Sequence, residues 1–400
     1  MTDPNAFIDQ VLEKLCIRIG DRPLGSRHNQ RAQEFIGNSF RQHGCEVEDQ
    51  DFTCMDWRGE SVLLHANGHN IPASISPYSL PCNITVEPVT LANIHDLETR
   101  DIRGRIAVLH GELTREAIMP KNFRFWNPEE HQKIIRLLEE NKPAAIVAVS
   151  FNEEQPTPIF EDGDFDIPNA VIAKNHAGEL LTAGSNIALT IVSERRPSRG
   201  ANVIARKPGR VGKNKVVLTA HMDTKPGTPG ALDNASGIAS LLTLSLILQS
   251  QAFGFGLEFV AFNGEDHYSN AGEIHFLDKY QAEFRNILLN INCDGVGLKD
   301  SRIGISCMEC PEPIHSVCDE TRKAFNLIEW IEPWVQGDHM LFVMNRVPAL
   351  TLTSSGIFPL VDTIIHTKND TPALLDPESI LQSSRFLERL LINLDRAAGS

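Results

Sequence analysis

Apolar and polar positions fall into two textures along the chain. From about residue 200, short apolar runs alternate with amphipathic stretches. The runs 216–220, 257–262, 287–293, 303–306 and 349–353 have strand length. The segments near 235–250, 271–281, 312–325 and 377–397 repeat apolar residues at helical spacing. Strands alternating with helices predict a doubly wound α/β sheet, mixed but mainly parallel and flanked by helices. The first fifty residues add two helices and a strand. Asp3 before Pro4 caps the first helix, whose apolar positions are Phe7, Ile8, Val11, Leu12 and Leu15; the second spans about 28–43. Between them and the α/β region the texture changes. Short β-type runs at 61–65, 84–86, 105–109, 144–149, 167–172 and 186–192 are punctuated by Pro and Gly, with one helix near 129–141. The chain therefore divides into 1–55 and 196–400, two parts of one α/β domain, and 56–195, a β-rich domain inserted in it.

Composition narrows the function classes. The 400 residues are 42% hydrophobic and 22% charged, ordinary for folded protein, and carry a net charge of −15. Nucleic acid and anionic membranes both require a basic surface, so neither is an expected partner. Asp9, Gln10, Glu13 and Lys14 interrupt the first apolar stretch and no basic segment precedes it, unlike an export signal. The greasiest run, 241–248, is less than half the ~20 residues a membrane span needs, and reads as a buried helix. A cytoplasmic location is expected, and in that setting the eight cysteines are reduced core thiols. Cys307, Cys310, His315 and Cys318 have the spacing of a structural zinc site. Pro311 and Pro313 behind the first pair, and a helix carrying His315 and Cys318, favour packed thiols instead. The sequons at Asn83 and Asn234 are set aside without an export signal.

The residues with chemistry lie just beyond the carboxyl ends of the α/β strands, where open sheets place their sites. After the first comes His221-Met222-Asp223; in extended chain the two polar side chains face the same way, so Asp223 can orient the imidazole and leave one nitrogen for a metal. Gly230-Ala-Leu-Asp233-Asn-Ala-Ser-Gly237 then puts a carboxylate where the buried helix begins. The next strand ends in Gly264-Glu265-Asp266 and the third in Asn292-Cys293-Asp294. A late segment, Asp362-Thr-Ile-Ile-His366-Thr-Lys-Asn-Asp370-Thr, supplies a second histidine. Two histidines, three carboxylates and a spare glutamate suit a pair of divalent ions that share one carboxylate. Two dications, three carboxylates and a hydroxide sum to zero charge. Mixed imidazole and carboxylate donors favour zinc, and cobalt or manganese fits the same set. Alone, a His-x-Asp or Glu-Asp pair is usually a solvated turn; it is their joint placement at successive strand ends that carries weight. His267 and His339 lie beside these motifs with packing roles the simpler expectation, and His275 reads as structural.

This set of motifs resembles the co-catalytic zinc aminopeptidases, the family that includes leucyl aminopeptidases, glutamate carboxypeptidase II and, as a relative without the metals, transferrin receptor. Arg22-Pro-Leu-Gly-Ser26 matches the family's opening, and Gly337-Asp338-His339 with Phe342 and Val347-Pro348 a segment before the last ligand. Gly104-Arg-Ile-Ala-Val and Ile167-Pro-Asn-Ala-Val-Ile resemble strands of the protease-associated domain inserted in several members. The resemblance implies that Asp233 bridges the metals, that Asp266 and His366 complete one site, and that His221 and Asp294 complete the other. It makes Glu265 the general base toward a metal-bridging water, with Asp223 behind His221, and the peptide after Asp233 cis. The substrates it implies are peptides with a free N-terminus; the oligomeric state stays open, a homodimer included. Two positions depart from the family pattern. Asp266 stands where Glu is usual, one methylene shorter, and Ile365 stands where some members have a Tyr that helps hold the oxyanion, leaving that task to the metals or Tyr268. Ile357, Phe358 and Pro359 are candidates for an apolar specificity pocket. Other outcomes on the same scaffold are glutaminyl cyclisation, removal of a C-terminal acidic residue, or a non-catalytic binding protein.

Overall fold

The computed structural model describes residues 3–182, 186–361 and 363–398, and these divide into two compact units: residues up to Cys54 together with those from Ser198 onward, and Met55–Pro197. Asp362, the first residue of the last motif, lies outside the described residues.

The first unit is α/β. At the centre of its sheet, four parallel strands lie in the order Ala349–Ser354, Ile287–Cys293, Lys215–His221, Gly256–Phe262. Ile303–Met308 joins one edge antiparallel and carries the short Ile328–Trp330 beyond it; residues 203–207 pair antiparallel with Gly256–Phe262 on the other side. The central strands are mainly apolar because helices cover both faces, as parallel sheets require, with Thr219, Glu258, Asn290 and Asn292 as buried exceptions. Lys215–His221 comes first in the chain yet lies between the next two strands. Successive connections therefore leave it in opposite directions, and a crevice opens at its carboxyl end.

Local signals explain the flanking helices. Asp3 caps Pro4–Leu12 by accepting from the Asn5 amide at 3.3 Å, and Ser26 caps Arg27–Gln42 by accepting from Asn29 at 3.1 Å. Ser236–Ile247 has apolar or small residues on every side and is buried from Ser236 to Ser245, as a central helix should be. Pro377–Ala398 packs on it, with Ser384 Oγ donating to the Ser240 carbonyl at 3.1 Å. Among the described residues no helix is long and apolar enough to cross a membrane.

The unit Met55–Pro197 holds a mainly parallel five-stranded sheet beside antiparallel pairs, Leu64–Ala66 with His69–Ile71 and Cys82–Val86 with Ile187–Ile191. Pro88–Leu91, Ile106–Leu109, Ala145–Val149 and Asn169–Ile172 run parallel, and only Ser74–Ile75 pairs antiparallel with the last. Alternate residues serve two cores. Ala107, Leu109, Ile146 and Ala148 pack with Ile134, Ile135 and Leu138 of the helix Glu129–Asn141; Ile106, Val108, Ala145 and Val147 pack with Leu64, Ile71, Leu189 and Ile191. Strands four or five residues long and apolar on both faces are the mark of this arrangement. Two strands are also longer than their apolar runs suggest. Glu46–Ala66 and Ile187–Lys207 continue through polar, charged stretches where hydrophobic periodicity gives no signal.

Candidate metal centre

The parallel strands deliver their ends to one place. His221 closes Lys215–His221, Glu265 and Asp266 follow Gly256–Phe262, and Asp294 follows Ile287–Cys293. Asp233 comes from the turn that opens the buried helix, where residues 233 and 234 leave helical geometry and the peptide between them is cis. His366 arrives on a late loop in a left-handed conformation, φ 61°. Two donor triads result: His221, Asp233 and Asp294, and Asp233, Asp266 and His366, each with donor atoms within 4.8 Å of one another. Asp233 belongs to both. Its Oδ1 lies 2.9 Å from His221 Nε2 and its Oδ2 2.9 Å from His366 Nε2. Asp266 Oδ1 is 3.0 Å from His366 Nε2, so the shorter acid reaches the cluster. Asp294 Oδ2 and Glu265 Oε2 stand 3.8 Å and 4.0 Å from His221 Nε2. Cys307, Cys310, His315 and Cys318 form no such group among the described residues: Cys307 contacts Cys310 and Cys318, while the His315 ring is stacked on Trp330 at 4.8 Å.

One orienting contact differs from the expectation. Asp223 does not bond the His221 ring: its Oδ1 lies 3.8 Å from Nδ1 and instead accepts from the Gly264 amide at 2.7 Å and the Glu265 amide at 3.3 Å. Two backbone donors converge on that oxygen and fix it. Asp223 thus anchors the backbone that presents Glu265. Gly264 adopts φ 122°, a conformation side chains disfavour, which permits this turn.

Electrostatics show a cradle crowded with acid. Burial works to raise Asp233, but the His221 and His366 imidazoles, each 2.9 Å from one of its oxygens, outweigh it and hold the carboxyl well below its usual range. Burial works to lower both imidazoles, and the surrounding carboxylates overcome it and push them well above theirs. Glu265 is raised well above the ordinary value by burial, reinforced by Asp266, Asp294 and Asp233 against the opposing pull of His221. Asp223 is pushed up to about 6, chiefly by burial. So many carboxylates at close quarters demand positive charge. Both His221 ring nitrogens and Asp266 Oδ2 are buried without a geometrically sound hydrogen bond. Orphaned, buried donor atoms of these types are what a divalent ion would satisfy, and the residues fit a pair of zinc ions.

Several residues at the site had no assigned role in the sequence. Arg22 is fully buried and its guanidinium donates to the Met222, Pro229 and Gly230 carbonyls at 2.7, 2.6 and 2.8 Å. Asp370 is equally buried and accepts from the Leu232 and Asp233 amides at 2.7 and 3.0 Å. Asp338 and Glu273 are buried carboxyls raised first by burial, Glu273 to about 7. Of these, Arg22, Asp338 and Asp370 lie inside the quoted motifs, which was the available signal; Glu273 had none. The remaining histidines pack: His275 stacks on Phe52 at 5.0 Å, His267 bonds Ser269 Oγ at 2.8 Å, and His339 Nε2 bonds the Trp334 carbonyl at 2.9 Å. Tyr268 lies against His267, their ring centroids 4.4 Å apart.

Comparison with known proteins agrees with this geometry. Residues 202–391 match the model of peptidase family M28. Aminopeptidase YwaD of Bacillus subtilis is 25% identical over 297 residues, spanning 72% of this chain and 61% of the relative, so the chain matches about six-tenths of that protein's length. The crystal structure of BSAP, a zinc aminopeptidase from Bacillus subtilis, superposes with a TM-score of 0.78 at 20% identity over 97% of this chain and 94% of that one. An aminopeptidase from Aneurinibacillus sp. strain AM-1 gives 0.77 at 19% identity, covering 98% and 93%. At such identities the superpositions establish a shared fold, and the family match falls on the segment that carries every residue of the two donor triads. Somewhat less than half of the chain, residues 202–391, thus matches peptidase family M28.

Proposed function

We propose that this chain is a metal-dependent aminopeptidase that removes N-terminal residues from peptides. The observation that carries the proposal is Asp233, whose two carboxylate oxygens each lie 2.9 Å from a different histidine, one in each donor triad. His221, Asp233 and Asp294 would hold one divalent ion and Asp233, Asp266 and His366 the other, zinc being the best fit to nitrogen and oxygen donors. Bound ions supply Lewis acidity toward the scissile carbonyl and lower the pKa of water. Glu265 takes the proton of the attacking water and passes it to the leaving amine. Its carboxylate projects beside His221 without belonging to either triad, and Asp223 holds its backbone amide. A raised pKa makes Glu265 the better acceptor for that proton and keeps it on the carboxyl until the leaving amine takes it.

The named aminopeptidases among the relatives support peptides with a free amino end as substrates. Phe358 is half exposed and meets Trp334 edge-on at 6.0 Å, while Ile357 abuts Gly295 next to Asp294; together they offer an apolar wall near the triads. The unit Met55–Pro197 is proposed to be a protease-associated domain, on the strength of the strands Ile106–Leu109 and Asn169–Ile172 that match that pattern.

The test is a panel of fluorogenic aminoacyl amides, each offered with a free and an acetylated amine, to the zinc-loaded chain and after chelation. The proposal expects cleavage of the free-amine forms alone, abolished by chelator and restored by zinc. Cyclisation of N-terminal glutamine, release of C-terminal acidic residues, or metal uptake with no hydrolysis would each replace it.

A further inference from the structure

The turn 229–235 that presents Asp233 has an internal bond from the Ala235 amide to the Gly230 carbonyl at 3.0 Å, and its amides at 231–233 turn outward to other partners. Residues 233 and 234 depart from helical angles, with φ/ψ of −117°/91° and −137°/41°, so the amides just before them need acceptors elsewhere. Asp370 supplies these acceptors. Its carbonyl accepts from the Ala231 amide at 3.2 Å, its Oδ1 from Leu232 at 2.7 Å and its Oδ2 from Asp233 at 3.0 Å. The opposite side of the turn presents carbonyls, and Arg22 satisfies them. Its Nη1 donates to Pro229 at 2.6 Å, Nη2 to Gly230 at 2.8 Å, and Nε to Met222, the neighbour of His221, at 2.7 Å. The Arg22 backbone amide also donates to Thr224 Oγ1 at 3.0 Å.

We infer that Arg22 and Asp370 are positioning residues: a buried, oppositely charged clamp that grips the 229–233 turn from both sides and sets where the Asp233 carboxylate stands between the two histidines. Each end of the clamp is tied to a different histidine. Arg22 reaches the residue after His221, and Asp370 sits four residues beyond His366 on the same loop. One displacement of the turn would therefore disturb both 2.9 Å approaches to Asp233 together. Neither residue offers an atom to either donor triad, so the clamp acts only through the ligands it places. Both side chains are fully buried, and the guanidinium fork is spent on four carbonyls, those of Met222, Pro229 and Gly230 and, at 3.3 Å, Gly20. Lysine could keep the charge but not that geometry.

This inference rests on the reading of the two triads as a metal site, and its test separates the two. Zinc affinity and stoichiometry are measured by chelator competition on the full chain, with the melting temperature of the metal-free protein recorded alongside. Wild type should take up two ions. Asp370→Asn, close in shape, should bind zinc about 10–100-fold more weakly, the scale typical of groups that orient metal ligands. Its cobalt-loaded form should show altered visible bands. Arg22→Lys should do the same, and serves if the first variant does not fold. Ser384→Ala removes a buried hydrogen bond to Ser240 away from the turn, and should lower the melting temperature without weakening zinc. Wild-type protein that takes up no zinc overturns the metal reading and the clamp together. Two ions in wild type with unchanged affinity in both clamp variants overturns the clamp alone. Weakening by Ser384→Ala equal to that of Asp370→Asn would also overturn it, since the loss would then be general destabilisation.

Discussion

Glu265→Gln isolates the proton-transfer role because the structure says what it leaves intact. Glutamine is nearly isosteric, Glu265 offers no donor atom to either triad, and the bond from the residue-265 amide to Asp223 belongs to the backbone. Burial and three neighbouring carboxylates already disfavour the charge on this side chain, so a neutral amide should not lower the melting temperature of the metal-free protein. What is lost is the acceptor for the water proton. Positioned acid–base catalysis is worth roughly 10²–10⁴ in rate, about 2.7–5.4 kcal/mol of barrier at ~1.36 kcal/mol per decade. The assay is kcat and KM on a leucyl fluorogenic amide, with zinc content measured on the same sample. The expected result is a kcat lower by at least ~10²-fold, KM within a few-fold and two ions per chain, the pattern of an interaction made only in the transition state. A variant that retains two ions and turns over within tenfold of wild type would refute Glu265 as the base.

Three further outcomes follow from the packing. A Cβ at Gly237 would fall inside the van der Waals contact of Asn234 Oδ1 and the Cys293 carbonyl oxygen, so Gly237→Ala should cost about 1–3 kcal/mol. It should also reduce zinc uptake, read by melting temperature and elemental analysis; an unchanged melt would contradict the close packing of this turn. His43 is buried, bonded to Ser245 Oγ at 2.6 Å, and pushed down to about 4 by burial and then by Lys207. Between that value and ~6.5 the unfolded chain binds a proton that the native one does not. This contribution is complete above ~6.5 and is lost as pH falls toward 4, by at most about 3 kcal/mol. Melting temperature should therefore fall less steeply from pH 7 to 4.5 in His43→Gln than in wild type, and parallel slopes would refute the assignment. Phe358→Ala should raise KM for leucyl and phenylalanyl substrates several-fold while leaving alanyl substrates nearly unchanged; equal effects on all three would remove the apolar wall from substrate selection.

The central sheet and the clustering of the donor-triad residues were legible for a shared reason. In a parallel α/β sheet the strands are mainly apolar, so a cluster of His221, Glu265-Asp266 and Asp294 at successive strand ends stands out against its background. The contacts that hold those ligands were not legible, because they are backbone bonds made across the chain. Nothing in the spacing of Asp223 says that its oxygen is taken by the Gly264 and Glu265 amides, and nothing near Arg22 says that it reaches Pro229 and Gly230. The same limit applied to Glu46–Ala66 and to the parallel sheet of Met55–Pro197. The strand is specified by its partners where its own pattern is polar, and the sheet's four-residue runs do not declare their direction.

The most direct test is crystallographic. Crystals of the zinc-loaded chain, measured on either side of the zinc absorption edge, should show two anomalous peaks roughly 3.5–4 Å apart, flanking the Asp233 carboxylate. One peak should be ligated by His221 and Asp294 and the other by Asp266 and His366. A single peak, or none within reach of Asp233, would contradict the account at its root.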